Sequence, residues 1–127
     1  MEATGVYAFE AEAHRLKGEL LLIDQPAEGE AARLASQAAA CFQRAIALAR
    51  QHEARWWELR ATVSLCRMLK VHGAAERERC MAAREMLAEI YGWFSEGFDT
   101  LDLKEARELL EELNAQDYSS TKSRINE

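Results

Sequence analysis

The stretch Gln37-Ala-Ala-Ala-Cys-Phe-Gln-Arg-Ala-Ile-Ala-Leu-Ala-Arg50 decides the fold. Ala38, Phe42 and Ala45 recur in it at spacings of four and three, which places them on one face of an α-helix. The two alanines allow a neighbouring helix to come close, and the Phe42 ring fills the space beyond them. The pattern therefore predicts antiparallel helix pairs that stack on one another.

The same spacing resembles the second helix of a tetratricopeptide repeat (TPR), a helix-turn-helix unit that buries its apolar face only by stacking on its neighbours. Ala83, Leu87 and Ile90 echo the pattern at an offset of 45 residues. The resemblance implies an all-α, TPR-like fold of about two long helical hairpins with a C-terminal capping helix.

Composition agrees with an all-α chain and indicates which partners and which compartment to expect. The 127 residues fit one domain, and they include one proline and six glycines among many strong helix formers. A net charge of −6 disfavours nucleic acid and anionic membranes as partners. The three cysteines form no Cys-x-x-Cys pair, which favours reduced packing residues. Without a membrane-length apolar run or a leader-like start, the expected location is the cytoplasm.

Recurring apolar residues predict five helices, at about Tyr7–Ile23, Glu30–Gln51, Ala54–His72, Ala74–Phe94 and Leu101–Asn114. The first has one apolar row, and the third has an arc broad enough for contact on two sides. The fifth has a single narrow stripe, which is typical of a helix that closes the end of a solenoid. Residues 1–114 are therefore predicted to form a TPR-like domain, and residues 115–127 a disordered tail.

A longer segment sharpens the resemblance. Three blocks of the sequence carry it, namely Tyr91-Gly-Trp-Phe-Ser-Glu-Gly-Phe-Asp-Thr-Leu-Asp-Leu-Lys-Glu-Ala-Arg-Glu-Leu-Leu110, His14-Arg-Leu-Lys-Gly-Glu-Leu-Leu21 and Trp57-Glu-Leu-Arg-Ala61. These blocks are similar to the C-terminal TPR-like region of large bacterial signalling proteins that carry a class III adenylate or guanylate cyclase domain and a predicted ATPase domain. The likeness spans about residues 8–114 and departs at Leu101, where the family often has proline. It implies a regulatory or scaffolding piece.

Catalytic motifs of that family are absent from this sequence, so the chain is predicted not to be an enzyme. A cyclase needs paired metal-binding aspartates and an ATPase needs a phosphate loop ending in Gly-Lys-Ser/Thr. Gly92 and Gly97 have loop-like spacing but are followed by Phe98 and Asp99. The histidines lack the spacing of a metal site, and no cofactor is predicted; they are His14, His52 and His72.

Two features of the third helix leave alternatives open. Trp56 and Trp57 point about 100° apart, so either both pack in the core or one lies on a binding surface. Basic residues also cluster on this helix, namely Arg55, Arg60, Arg67 and Lys70. They either pair with acidic neighbours or receive an acidic partner.

The predicted function is a non-catalytic binding or regulatory module that holds a protein or peptide, including other domains of a parent signalling protein. If Gly18 is the small position of the TPR pattern, the adjacent polar residues of the first helix line a groove. The candidate partner-binding residues are Glu12, Arg15, Glu19, Trp56, Arg60 and Arg67. The alternative is a self-assembling structural domain whose stacking surface forms a homodimer or larger homo-oligomer.

Overall fold

A computed structural model describes residues 2–23, 29–72, 77–94 and 100–126, with side chains described within 9–23, 29–71, 78–94 and 100–113. These residues form five helices and no strand, so the all-α prediction is confirmed. The helices are α1 (Glu2–Ile23), α2 (Ala31–Gln51), α3 (Arg55–His72), α4 (Arg77–Trp93) and α5 (Leu101–Asn126). The predicted breaks at 24–28, Gly73, Gly97 and Asp99 lie outside the described residues.

Two helix ends differ from the sequence prediction. α1 begins at Glu2 and not near Tyr7, and α5 continues to Asn126 and does not end near Asn114. Neither extension contains proline, so no backbone donor is lost at either end. Gly5 lies within the α1 extension without ending the helix, and no glycine follows Asn114.

Helix α3 is the centre of the packing. It contacts α1, α2, α4 and α5, and the odd-numbered helices also contact each other in chain order, α1 with α3 and α3 with α5. Its buried residues are Leu59, Ala61, Thr62, Val63, Ser64, Leu65, Cys66, Met68 and Leu69. The broad apolar arc predicted for this helix is therefore confirmed.

α1 approaches α2 closely at Gly18. Phe42 is fully buried, with Ala38 and Ala45 at 0% exposure beside it. A Cβ atom at Gly18 would lie 2.6 Å from Cε1 of the Phe42 ring, which is shorter than real Cβ contacts. Glycine at position 18 thus provides the notch that the Phe42 ring occupies, as expected if a partner helix crosses there.

The apolar row of α1 faces solvent. Phe9, Leu16, Leu20 and Ile23 are 77%, 48%, 64% and 71% exposed, and Ala13 is exposed as well. The face that packs inward carries Ala11 and Gly18, which are buried. The helix predicted from this row exists, but the contact with Phe42 needs a small residue at position 18 and so places this row on the opposite side of α1. Leu21 and Leu22 are the larger α1 residues that pack against the core.

A tight turn joins α2 to α3. The Glu53 N–H donates to the Arg50 carbonyl at 3.2 Å and the Ala54 N–H to the Ala49 carbonyl at 2.8 Å. This bond pattern is a Schellman motif, in which His52 is the C-cap and Glu53 has a φ of 54°. Across the turn, Arg50 Nε donates to the buried Glu58 carboxylate at 2.9 Å.

α4 and α5 complete the core on the other side of α3. Ala83, Leu87 and Ile90 of α4 are buried, as their spacing predicts. The Cys66 thiol donates to the Ala83 carbonyl at 3.3 Å, and its burial raises the pKa of the Cys66 thiol to about 12. α5 packs on both α3 and α4, and its buried side chains are Leu103, Ala106, Leu109 and Leu113. α5 therefore contributes one apolar stripe to the same core as α3 and α4.

Replacing Gly18 with alanine is expected to lower the free energy of unfolding by about 1–2 kcal/mol. The new methyl group overlaps the buried Phe42 ring, and this strain exceeds the helix-propensity gain of about 1 kcal/mol. Gly92 of α4 is the matched control, because a Cβ there meets nothing within 4 Å. Gly92→Ala should raise stability by at most about 1 kcal/mol. Urea denaturation measures both, and stabilisation by Gly18→Ala would contradict the close approach.

Replacing Glu53 with glycine is expected to raise the free energy of unfolding by about 0.5 kcal/mol. Glycine relieves the left-handed backbone strain of about 1–2 kcal/mol. It also increases the conformational entropy of the unfolded chain, which offsets part of this gain. Glu53→Val should instead destabilise by about 1 kcal/mol, because a β-branched residue fits this conformation poorly. Thermal denaturation followed by circular dichroism compares the two variants. Equal midpoints for both would show that the turn carries no left-handed strain.

Candidate protein-binding site

The polar sides of α1, α3 and α5 meet on one surface, which we call the charged face. α3 lies in the middle and supplies cations, and the flanking helices supply mainly carboxylates. The charged face consists of Glu12, Arg15 and Glu19 of α1, Arg60, Ser64, Arg67 and Lys70 of α3, and Asp102, Glu105 and Glu112 of α5.

The first cross-link on this face is centred on Arg60. Its Nη1 lies 2.6 Å from Glu12 Oε2, and its Nε lies 3.9 Å from Asp102 Oδ1. The guanidinium also sits 5.4 Å from the centre of the Trp57 ring. One arginine of α3 thus interacts with both flanking helices.

Arg67 forms a second cross-link of the same kind. Its Nη1 lies 3.9 Å from Glu19 Oε1, and its Nη2 donates to Glu105 Oε2 at 2.7 Å. Arg67 follows Arg60 by seven residues, as Glu19 follows Glu12, so the two cross-links are about two helical turns apart. An ion pair between Lys70 and Glu112 continues the series. The result is a ladder of charges that runs along α3.

Arg15 lies between the two cross-links and is the least exposed cation of the ladder, with 13% of its side chain accessible. It donates to Glu12, and its Nη1 also donates to Ser64 Oγ at 3.3 Å. The hydrogen bond to Glu12 raises the pKa of Arg15 above its ordinary value, and the charges of Glu12, Glu19 and Asp102 act in the same direction against desolvation. Arg15 therefore remains charged and holds the α1 carboxylates toward α3.

The basic residues of α3 are paired with acidic neighbours, which is the first of the two alternatives that the sequence left open for them. Arg60, Arg67 and Lys70 have the partners just described, and Arg55 Nη1 lies 3.6 Å from Glu58 Oε1. A shallow cavity of about 450 Å³ remains beside the ladder. Its lining is mixed in charge and consists of Arg67, Lys70, Val71, Glu105, Glu108, Leu109 and Glu112. The face is thus polar and locally balanced, and a strongly basic surface is not present there.

Trp56 stands apart from the other candidate residues. It packs edge-to-face on Phe94, with ring centres 5.4 Å apart, and Phe94 in turn meets Trp93 at 5.2 Å. Trp57 packs beside Ala11, Leu48, Ala49 and Ala54. Both Trp56 and Trp57 are half-buried, so each has a core contact and an accessible edge. The structure brings Glu12, Arg15, Glu19, Arg60 and Arg67 together and leaves Trp56 in an aromatic cluster.

Sequence reasoning missed the α5 side of the charged face. Asp102, Glu105 and Glu112 were not among the candidate partner-binding residues, and Ser64 was not singled out either. One available signal was the seven-residue spacing of Glu105 and Glu112, which matches that of Glu12 and Glu19. That spacing becomes informative only once the three helices are known to lie side by side.

Other kinds of site find no support in the described part of the chain. Within it, no group of three or more His, Cys, Asp or Glu side chains is placed to hold a metal ion. Its helices also lack any span that is both long and apolar enough to cross a membrane. The end of the glycine pair Gly92–Gly97 lies outside the described residues.

Comparisons with known proteins identified no relative: no family model, no curated protein and no solved structure matched the chain. The candidate site is therefore defined by its geometry.

Replacing Arg60 with methionine is expected to lower the free energy of unfolding by about 1–2 kcal/mol. Methionine keeps most of the aliphatic length but leaves Glu12, whose side chain is 16% exposed, with one cation fewer. Arg107→Met is the matched control, because among the described side chains Arg107 pairs within its own exposed helix face, with Glu111. This replacement should cost less than about 0.5 kcal/mol. Urea denaturation of both variants tests this. Equal losses would mean that the ladder contributes no more than an exposed ion pair.

Proposed function

We propose that this chain is a non-catalytic, TPR-like interaction module that binds a peptide or a protein domain along the charged face. The order of helix contacts supports this proposal. α1, α3 and α5 stand next to one another, whereas α2 and α4 each pack between successive members of that row. In a solenoid of helical hairpins, the first helices of the hairpins line the binding surface in this way.

The observation that carries the proposal is the residual exposure of the ladder cations. Arg60 and Arg67 keep 31% and 48% of their side chains accessible while they are held by carboxylates on both sides. Each guanidinium has five N–H donors, and the described contacts leave some of them available. Their positions are fixed by neighbours on three helices, so a ligand loses little side-chain entropy when it binds.

Charge on the face indicates the chemistry of the ligand. A carboxylate of the ligand fits over α3, where the arginines lie, and a basic group fits over the rows of α1 and α5, where Glu19 and Glu105 lie. A peptide with alternating acidic and basic side chains matches this arrangement better than a uniformly acidic one. Such binding weakens as salt concentration rises.

The proposed biological context follows from the sequence resemblance. We place the module with the C-terminal regions of cyclase–ATPase signalling proteins, so its partner is another domain of such a regulator or a protein bound to it. Its location is then the cytoplasm, and the module has no catalytic role of its own. A self-assembling structural domain is the alternative, and the exposed apolar row of α1 is the observation that favours it.

Selection of a random-peptide display library against the full chain tests the binding proposal. Selected peptides should lose affinity at least tenfold on Arg67→Gln, because this substitution removes the guanidinium from the middle of the face. Arg33→Gln is the matched control, since Arg33 lies on α2 and pairs only with Glu30 at 3.3 Å in the described residues. It should leave affinity unchanged. A library that yields no binder, or binders equally sensitive to both variants, would contradict the charged face as the binding surface.

A further inference from the structure

The exposed apolar row of α1 has the spacing of a coiled-coil helix. Phe9, Ala13, Leu16, Leu20 and Ile23 follow one another at intervals of four, three, four and three residues. Such a row repeats every 3.5 residues on average, which is the period at which two helices pair along their length. We call it the apolar seam of α1.

The seam is not part of the core of the chain. Ala11 and Gly18 lie on the opposite side of the helix and make the buried contacts, and Glu12 and Glu19 face α3. No side chain in the described residues covers the seam, whose four large members are between 48% and 77% exposed. Together they present on the order of 400 Å² of apolar surface, which is within the range of the largest apolar patches on typical monomers, and such patches are often functional.

We propose that a second copy of this chain covers the seam, with the two α1 helices pairing antiparallel about a twofold axis. The flanking charges are the reason for choosing a second copy. Glu10 and Lys17 lie on one flank, seven residues apart, and neither has an ion-pair partner among the described residues. A twofold axis between Ala13 and Leu16 brings Glu10 of each copy near Lys17 of the other, so the seam is complementary to itself.

The same axis matches the sizes of the seam residues. It sets Phe9 of one copy opposite Leu20 of the other, and the small Ala13 opposite the larger Leu16. The second flank carries Glu12 and Glu19, which would repel their counterparts if they were unpaired. Within each copy, however, they are held by Arg15, Arg60 and Arg67, which reduces this repulsion.

A parallel pair fits the charges less well. It brings Lys17 of one copy toward Glu12 of the other, and Glu12 already interacts with two arginines. It also leaves Glu10 without the contact to Lys17. The antiparallel arrangement therefore gives both Glu10 and Lys17 a partner, whereas the parallel one gives a partner to Lys17 alone.

The expected dimer is of moderate affinity. Two seams bury on the order of 800 Å² of apolar surface, and the flanking polar atoms bring the total close to about 1,200 Å², the lower end of specific interfaces. A dissociation constant in the micromolar range is therefore expected. The seam residues themselves do not belong to the charged face, which borders the seam at Glu12 and Glu19, so this proposal does not rest on the proposed function.

Sedimentation equilibrium of the full chain from about 1 µM to about 1 mM tests the proposal, with dimerisation expected within that range. Leu20→Glu should abolish the dimer, because it places a like charge on each side of the seam. Leu101→Glu is the matched control: Leu101 is 71% exposed on α5, similar to the 64% of Leu20, and its replacement should leave the dimer intact. Circular dichroism should be unchanged in both variants, since both positions face solvent.

Charge reversal tests the antiparallel orientation. Lys17→Glu and Glu10→Lys should each weaken the dimer about tenfold, because each places like charges opposite one another. The double variant Glu10→Lys/Lys17→Glu should restore affinity to within about threefold of the original chain. A chain that stays monomeric over the whole range, a dimer that survives Leu20→Glu, or a double variant without rescue would each overturn the proposal.

Discussion

The contact between Gly18 and Phe42 is the constraint on which the other features of the structure depend. The ring of Phe42 occupies the space that a Cβ at position 18 would need, so the packing of α1 on α2 requires glycine at this position. Because Phe42 is fully buried among Ala38, Ala45 and the α3 residues, it has no room to move aside. The rotation of α1 about its own axis is therefore set by this contact.

That rotation gives α1 three different sides. Small residues face α2, Glu12, Arg15 and Glu19 face α3, and the apolar seam faces solvent. Had the large apolar residues packed inward, the carboxylates would point away from Arg60 and Arg67, and the ladder would lose one of its two acidic rows. The positions of the charged face and of the seam thus both follow from the rotation of α1 about its axis.

The ladder also explains how a polar surface is held in place above an apolar core. Arg60 and Arg67 each lie between carboxylates of two different helices, and Arg15 joins Glu12 to Ser64. An isolated exposed pair contributes little, but a series of pairs in register restricts the relative sliding of three helices. If the charged face binds a partner, its specificity comes from this fixed geometry more than from net charge.

Much of the fold was determined by the sequence alone, and the candidate site only in part. Apolar spacing was sufficient for the five helices of the described residues and for the buried roles of Phe42 and Leu87, because a helical period of 3.6 residues marks one face of each helix. Spacing did not determine which face of α1 is buried. Both the row of large apolar residues and the pair Ala11 and Gly18 are compatible with a helix, and hydrophobicity alone favours the larger row.

Only the tertiary structure decided between them, since the choice depends on the shape of the Phe42 ring opposite. It also decided which charges meet: Glu12 and Asp102 are 90 residues apart in the chain, yet both approach Arg60. The sequence identified five of the charged-face residues but could not place Asp102 or Glu105 among them. Which charged residues of one helix form ion pairs depends on the helix that lies beside it, and that neighbour is determined by packing in three dimensions.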